Sequence, residues 1–94
     1  MMFYIYVIKD RYNKLYIGYT SDLKKRLQRH ARGYTAYLKR RRPVKLIYYE
    51  AYLSKRDARA REKSLKNYGS VFSGLKQRIQ DSLRGEYFYK NQRL

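Results

Sequence analysis

Cysteine is absent from this 94-residue chain, which excludes a disulfide framework, a thiolate zinc site and a cysteine nucleophile. Stability must come from the core alone. Acids are scarce as well: seven Asp and Glu stand against twenty-four Lys and Arg, for a net charge of +17 and a pI near 10.3. So basic a chain repels itself when compact unless a polyanion or counterions relieve the charge, and nucleic acid is the expected partner. The apolar start Met1 to Ile8 lacks a basic n-region and stops at Lys9 and Asp10, too short for a signal peptide or a membrane span. The expectation is a cytoplasmic protein without a membrane partner. Internal repeats, low-complexity linkers and interior domain boundaries are missing too, so one domain over 1–84 is expected, followed by an aperiodic tail over 85–94.

What is present is a 44% hydrophobic fraction with thirteen tyrosines, which argues against a disordered basic tail. Phe3 to Ile8, rich in aromatic and β-branched residues, reads as a strand, and Lys14 to Tyr19 as its hairpin partner across a polar turn. Ser21 offers an N-cap, and Leu23, Leu27 and Ala31 form a narrow apolar stripe on a basic helix ending at Gly33. Tyr34 to Arg42 is a short basic connection of a helical turn or two, closed by Pro43. Val44 to Ala51, apolar on both faces, reads as a third and central strand. Ser54 to Tyr68 reads as a helix opened by Ser54 and Asp57, broken by Tyr68, Gly69 and Ser70. Val71, Leu75, Ile79 and Leu83 then describe one last amphipathic helix, with Gly74 as a weak point. The order β-β-α-(α)-β-α-α gives an α/β (α+β) fold: a small, mostly antiparallel three-stranded sheet flanked by helices.

Glu62 is the residue out of place in this pattern. It lies four residues after Ala58 and three before Leu65, on the stripe that faces the body of the domain, where a carboxylate needs a cation. Either it holds a metal ion, or it forms an ordinary i,i+4 pair with Lys66. On the first helix Asp22, Arg26 and His30 share a face, so Arg26 and His30 can point at one object, unless Arg26 merely pairs with Asp22. On the strands, alternation puts Tyr4 and Tyr6 on one face and Tyr16 and Gly18 on one face, so two tyrosine hydroxyls can meet across the hairpin. Gly18 either lets a backbone or phosphate approach closely or serves a turn.

Tyr4-Ile5-Tyr6, then Tyr16-Ile17-Gly18, Thr20 to Leu23, Arg26-Leu27, Arg42 to Leu46 and Glu62-Lys63 together resemble the GIY-YIG nuclease family, in its small stand-alone bacterial form. The resemblance runs from Phe3 to Leu83. It departs from the family pattern at Tyr4, in place of a glycine, and at Tyr19, where some members have lysine. The resemblance implies a divalent-metal-dependent endonuclease that hydrolyses DNA phosphodiesters in repair or processing, weakly specific or structure-selective. The alternative is a non-catalytic basic nucleic-acid-binding protein that retains the fold. Tyr6 and Tyr16 match the tyrosines of the two half-motifs, Arg26 the arginine at the scissile phosphate, His30 a position of Tyr or His, and Glu62 the metal carboxylate.

Each assignment has a physical reason. Phosphodiester attack builds negative charge that a fixed Arg26 can meet. A single Mg²⁺ or Mn²⁺ ion is content with one carboxylate plus waters, which Glu62 provides. A tyrosine with its usual pKa of ~10 needs nearby positive charge to act as base, a role expected of Tyr6, with Tyr16 and His30 orienting the water or sharing the proton. The phosphate contacts expected around this site come from Gly18, Lys24, Lys25, Arg29, Arg32, Lys39, Arg40, Arg41 and Arg42. DNA is the expected partner, with RNA open, and so is a partner protein.

Overall fold

The structure, a computed structural model, describes residues 1–33 and 35–84; the expected tail over 85–94 lies outside them. Its strands are β1 (Phe3–Lys9), β2 (Leu15–Thr20) and β3 (Lys45–Tyr52). The helices are α1 (Leu23–Arg32), α2 (Ala36–Arg40), α3 (Lys55–Asn67), α4 (Gly69–Arg78) and α5 (Gln80–Arg84). The sheet has the order β2-β1-β3, and both pairings are antiparallel.

The central strand is therefore β1, which corrects the expectation for β3. In β1 four consecutive residues, Ile5, Tyr6, Val7 and Ile8, are buried, as a strand covered on both faces requires. In β3 the aromatic run conceals an edge: Tyr49 is 52% exposed, while Ile47, Tyr48 and Tyr52 pack against the core. Ile5 and Val7 point to one side of the sheet and pack with Ala58 and Leu65 of α3 and Leu75 of α4, the buried core of the molecule. Each of the Ile, Val and Leu side chains contributes roughly 1.5–3 kcal/mol when fully buried. Tyr6 points to the other side, beneath α1.

Local chemistry sets the helix ends. The cap of α1 is Asp22 and not Ser21: its side chain accepts from the Lys25 backbone N–H at 3.0 Å. Gly33 closes the helix at φ 64°, where an L side chain is strained, and a Cβ there would meet the Lys39 backbone as α2 folds back. Ser54 caps α3 as its sequence suggests, accepting from Asp57 N–H at 3.3 Å. The last amphipathic segment is two helices, since the chain leaves helical geometry at Ile79 between α4 and α5. The break before α4 falls at Tyr68 alone, and Gly69 is already helical.

One ion pair fixes the rotation of α3. The Arg61 guanidinium donates to both Glu50 oxygens, from Nε at 3.0 and 3.3 Å and from Nη2 at 3.1 Å. The Tyr48 and Tyr52 hydroxyls donate to the same carboxylate. Burial alone would raise the Glu50 pKa, but Arg61 and the two hydroxyls outweigh it and hold it low. With Arg61 tied to β3, the next residue, Glu62, takes a fixed position toward the sheet.

Candidate active site

The register places Tyr6 opposite Gly18, and Tyr16 opposite Ile8. The two tyrosines share a face of the sheet, but their hydroxyls go to different partners. Tyr6, 3% exposed, lies with its hydroxyl 2.9 Å from His30 Nε2, and Arg26 Nη1 donates to the same oxygen at 3.5 Å. Arg26 and His30, one helical turn apart on α1, thus meet at one atom. Arg26 Nη1 also donates to the Tyr19 carbonyl at 3.3 Å, which steadies the guanidinium against β2. Asp22 takes no part; its carboxylate is the helix cap.

His30 is buried, and its pKa is pushed below 6.5 by that burial and by the charges of Arg26 and Arg29. The neutral imidazole is thereby favoured. Gly18 serves the tyrosine: a Cβ there would run into the Cζ and hydroxyl of Tyr6. The space expected for a phosphate at Gly18 is taken by that ring, because the strand pairing sets the two residues face to face.

Tyr16 occupies a second cluster. Its hydroxyl donates to Asp10 Oδ2 at 2.7 Å and lies 3.3 Å from the Tyr37 hydroxyl, which also accepts from Lys14 Nζ at 3.0 Å. Burial, the Tyr37 bond and the Asp10 carboxylate all raise the Tyr16 pKa, so this phenol keeps its proton and is a poor base. Asp10 is the hub. Its buried carboxylate also accepts from the Tyr12 and Lys14 backbone N–H groups at 2.8 and 3.0 Å and pairs with the Arg41 guanidinium. Burial would raise its pKa, but Arg41, Tyr16 and the backbone donors together bring it down to about 2. Arg41, expected to contact phosphate, is thus committed to Asp10, because a fully buried carboxylate needs a cation. Sequence patterning missed Asp10, which reads as a turn residue; its signal was the basic excess that makes every buried acid a pairing site.

Glu62 stands where α3 meets β2. The Arg59 guanidinium lies over the Tyr19 ring, 4.4 Å from its centroid, and donates to Glu62 Oε1 at 3.3 Å, while Lys66 Nζ donates to Oε2 at 3.0 Å. The carboxylate is inward, 14% exposed, and the pair with Lys66 is also made. Tyr19 consequently touches both halves of the site, through its carbonyl to Arg26 and through its ring to Arg59. Among the described residues no three His, Cys, Asp or Glu side chains gather as a metal cluster, so an ion at Glu62 would take few side-chain ligands of these types. That donor set fits a hard ion that keeps most of its water. Arg59 and Lys66 are 56% and 49% exposed, so either can swing aside at small cost. Lys24, Lys25, Arg29, Arg32, Lys39, Arg40 and Arg42 are exposed on α1, α2 and the loop that follows.

Residues 2–76 match the description "GIY-YIG catalytic domain". The fold is similar to the solution NMR structure of a UPF0213 protein from Bacillus halodurans, at 25% identity and a TM-score of 0.56, over 99% of this chain and 97% of that one. No curated protein matches the chain in sequence.

Proposed function

We propose, for a chain that belongs to the GIY-YIG family of nuclease catalytic domains, that it is an endonuclease hydrolysing DNA phosphodiesters, structure-selective or weakly specific, in repair or processing. The observation that carries this reading is the convergence of His30 and Arg26 on the Tyr6 hydroxyl. A buried phenol held between a neutral imidazole and a guanidinium is arranged to move a proton. In the tautomer that leaves Nε2 unprotonated, His30 can accept the Tyr6 proton, and the phenolate oxygen can then take one from an attacking water. Arg26 favours the phenolate, and the same guanidinium can meet charge that develops on the phosphate. Tyr16, held protonated by Asp10 and Tyr37, positions and does not deprotonate. Glu62 would hold a Mg²⁺ or Mn²⁺ ion after releasing Lys66 or Arg59; bound there, the ion supplies positive charge to the leaving oxygen.

A second reading, a basic nucleic-acid binder without catalysis, is favoured by one observation: both Glu62 oxygens are already neutralised within α3. Labelled duplex, nicked, flap and branched DNA incubated with Mg²⁺, Mn²⁺ or EDTA separates the two. Metal-dependent cutting by the wild type, abolished in Glu62→Gln with the fold and metal-free DNA affinity retained, supports the nuclease. Cutting at full rate by Glu62→Gln removes the metal site, and a wild type inert on every substrate leaves the binder.

A further inference from the structure

The tip of the β1–β2 hairpin and helix α2, behind the Tyr16 cluster, present exposed rings to which the proposed cleavage chemistry assigns no contact with the strand. Tyr12 is 60% exposed and Tyr37 49% exposed, although each ring is held in place. The Arg41 guanidinium lies between them, 4.8 Å from the Tyr12 centroid and 5.1 Å from that of Tyr37. Arg41 in turn is fixed by the buried Asp10 carboxylate, which also binds the Tyr12 backbone N–H. Tyr37 packs edge-on to Tyr16 with centroids 6.3 Å apart and accepts from Lys14. Arg11, 5.3 Å from the Tyr12 centroid, and Lys14, 5.4 Å from that of Tyr37, add exposed cations beside the rings. Orienting two exposed tyrosines in this way requires a buried acid and a guanidinium, more than a solvent-facing hairpin needs.

We propose that this cluster is a stacking platform for an unpaired nucleotide of the nucleic-acid strand, with a base on Tyr12, the more exposed ring, and the flanking phosphates on Arg11 and Lys14. The proposal rests on the nuclease reading for its strand but names the feature that strand must have. Aromatic faces beside mobile cations match a base and its phosphate, since every base has a π-face and every linkage a negative charge. A duplex keeps its base faces stacked, so only a flap, an overhang or a single strand can use the platform. The position is also right. Tyr16, which abuts Tyr37, stands two residues along β2 from Gly18, the partner of Tyr6, so the platform lies on the same face of the sheet as Tyr6.

The test is equilibrium binding of the full chain, in EDTA, to a labelled single-stranded oligonucleotide and to a blunt duplex of the same length. Tyr12→Ala should weaken single-strand affinity by about 5- to 100-fold, the usual range for a lost stacking partner, and leave duplex affinity within about two-fold. Tyr12→Trp should preserve the preference for single strands. An unchanged single-strand affinity in Tyr12→Ala overturns the platform, and so does an equal loss on both DNAs, which would mark a surface of charge only. Competition by polyglutamate that Tyr12→Ala weakens to the same degree as the oligonucleotide would also overturn it, in favour of an acidic peptide. Because the readout is binding without metal, a chain that cuts no DNA yet loses single-strand affinity on Tyr12→Ala keeps the platform and loses the nuclease. Cutting without single-strand preference does the reverse.

Discussion

Replacing Gly18 by alanine adds one methyl group, and the strand register decides where it goes. Gly18 stands opposite Tyr6, and the new Cβ would overlap the far end of the Tyr6 ring. A tyrosine tip on the surface would swing away, but this one is 3% exposed and its hydroxyl is fixed at 2.9 Å from His30 Nε2. The ring must move, and the hydrogen bond to His30 and the Arg26 contact must stretch or break. Overpacking of this kind costs typically ~1–3 kcal/mol, with about 1 kcal/mol more for the lost buried hydrogen bond. For a domain of this size the melting temperature should fall by roughly 8–30 °C. Cleavage should be lost even below the melting point, while metal-free DNA affinity persists, because the basic surface of α1 and α2 is untouched. The built-in control is Gly74→Ala: a Cβ there meets nothing, and the residue is inside α4, so the substitution should stabilise by up to ~1 kcal/mol and leave activity alone. Thermal melts, metal-free binding and Mg²⁺-dependent cutting on the two variants decide the matter. Wild-type melting and cutting by Gly18→Ala would refute the packing of Tyr6 against β2.

Two further outcomes follow from the same geometry. Arg26→Ala should lower the cleavage rate at saturating DNA by about 10²–10³-fold with little change in binding, and Arg26→Lys should rescue it poorly; this is read by single-turnover kinetics. Asp10, with a folded pKa of about 2 against an ordinary 3.8, contributes stability that is complete above pH ~4 and is lost as pH falls toward ~2, to the extent of ~2 kcal/mol. Asp10→Asn should therefore be less stable at neutral pH, and its deficit should shrink by that amount between pH 5 and pH 2 in thermal or denaturant melts; a constant deficit would contradict the Asp10–Arg41 pairing.

The elements of this fold are largely legible in the sequence because their signals are local. Period-two aromatics mark β1, Ser54 and Asp57 mark the start of α3, and Gly33 the end of α1. The convergence of Arg26 and His30 follows from helical spacing alone. What escapes is set by pairing between distant segments. Strand order is one case, since an aromatic-rich edge and a buried centre have similar compositions, so β3 looks central in the sequence where β1 is central in the sheet. Gly18 is another: nothing near it says that the clearance belongs to a ring on the neighbouring strand. The Asp10 hub draws on residues up to thirty-one positions apart, from Asp10 to Arg41, and no periodicity links them. Glu62 illustrates the limit differently. Its inward position and its pair with Lys66 are alternatives in the sequence, and a long side chain on a crowded helix satisfies both.

The central claim is that the Tyr6 hydroxyl, and not the basic surface around it, carries the chemistry. Tyr6→Phe tests it most directly, since it removes one oxygen and keeps the ring that fills the space over Gly18. Single-turnover cleavage of a flap substrate in Mg²⁺, measured with metal-free DNA affinity and thermal stability on the same preparations, is the experiment. The account predicts that cutting falls by at least the ~10²-fold expected for a lost proton-transfer group, with affinity unchanged and a stability loss near ~1 kcal/mol for the missing hydrogen bond to His30. Cutting by Tyr6→Phe at the wild-type rate would contradict it.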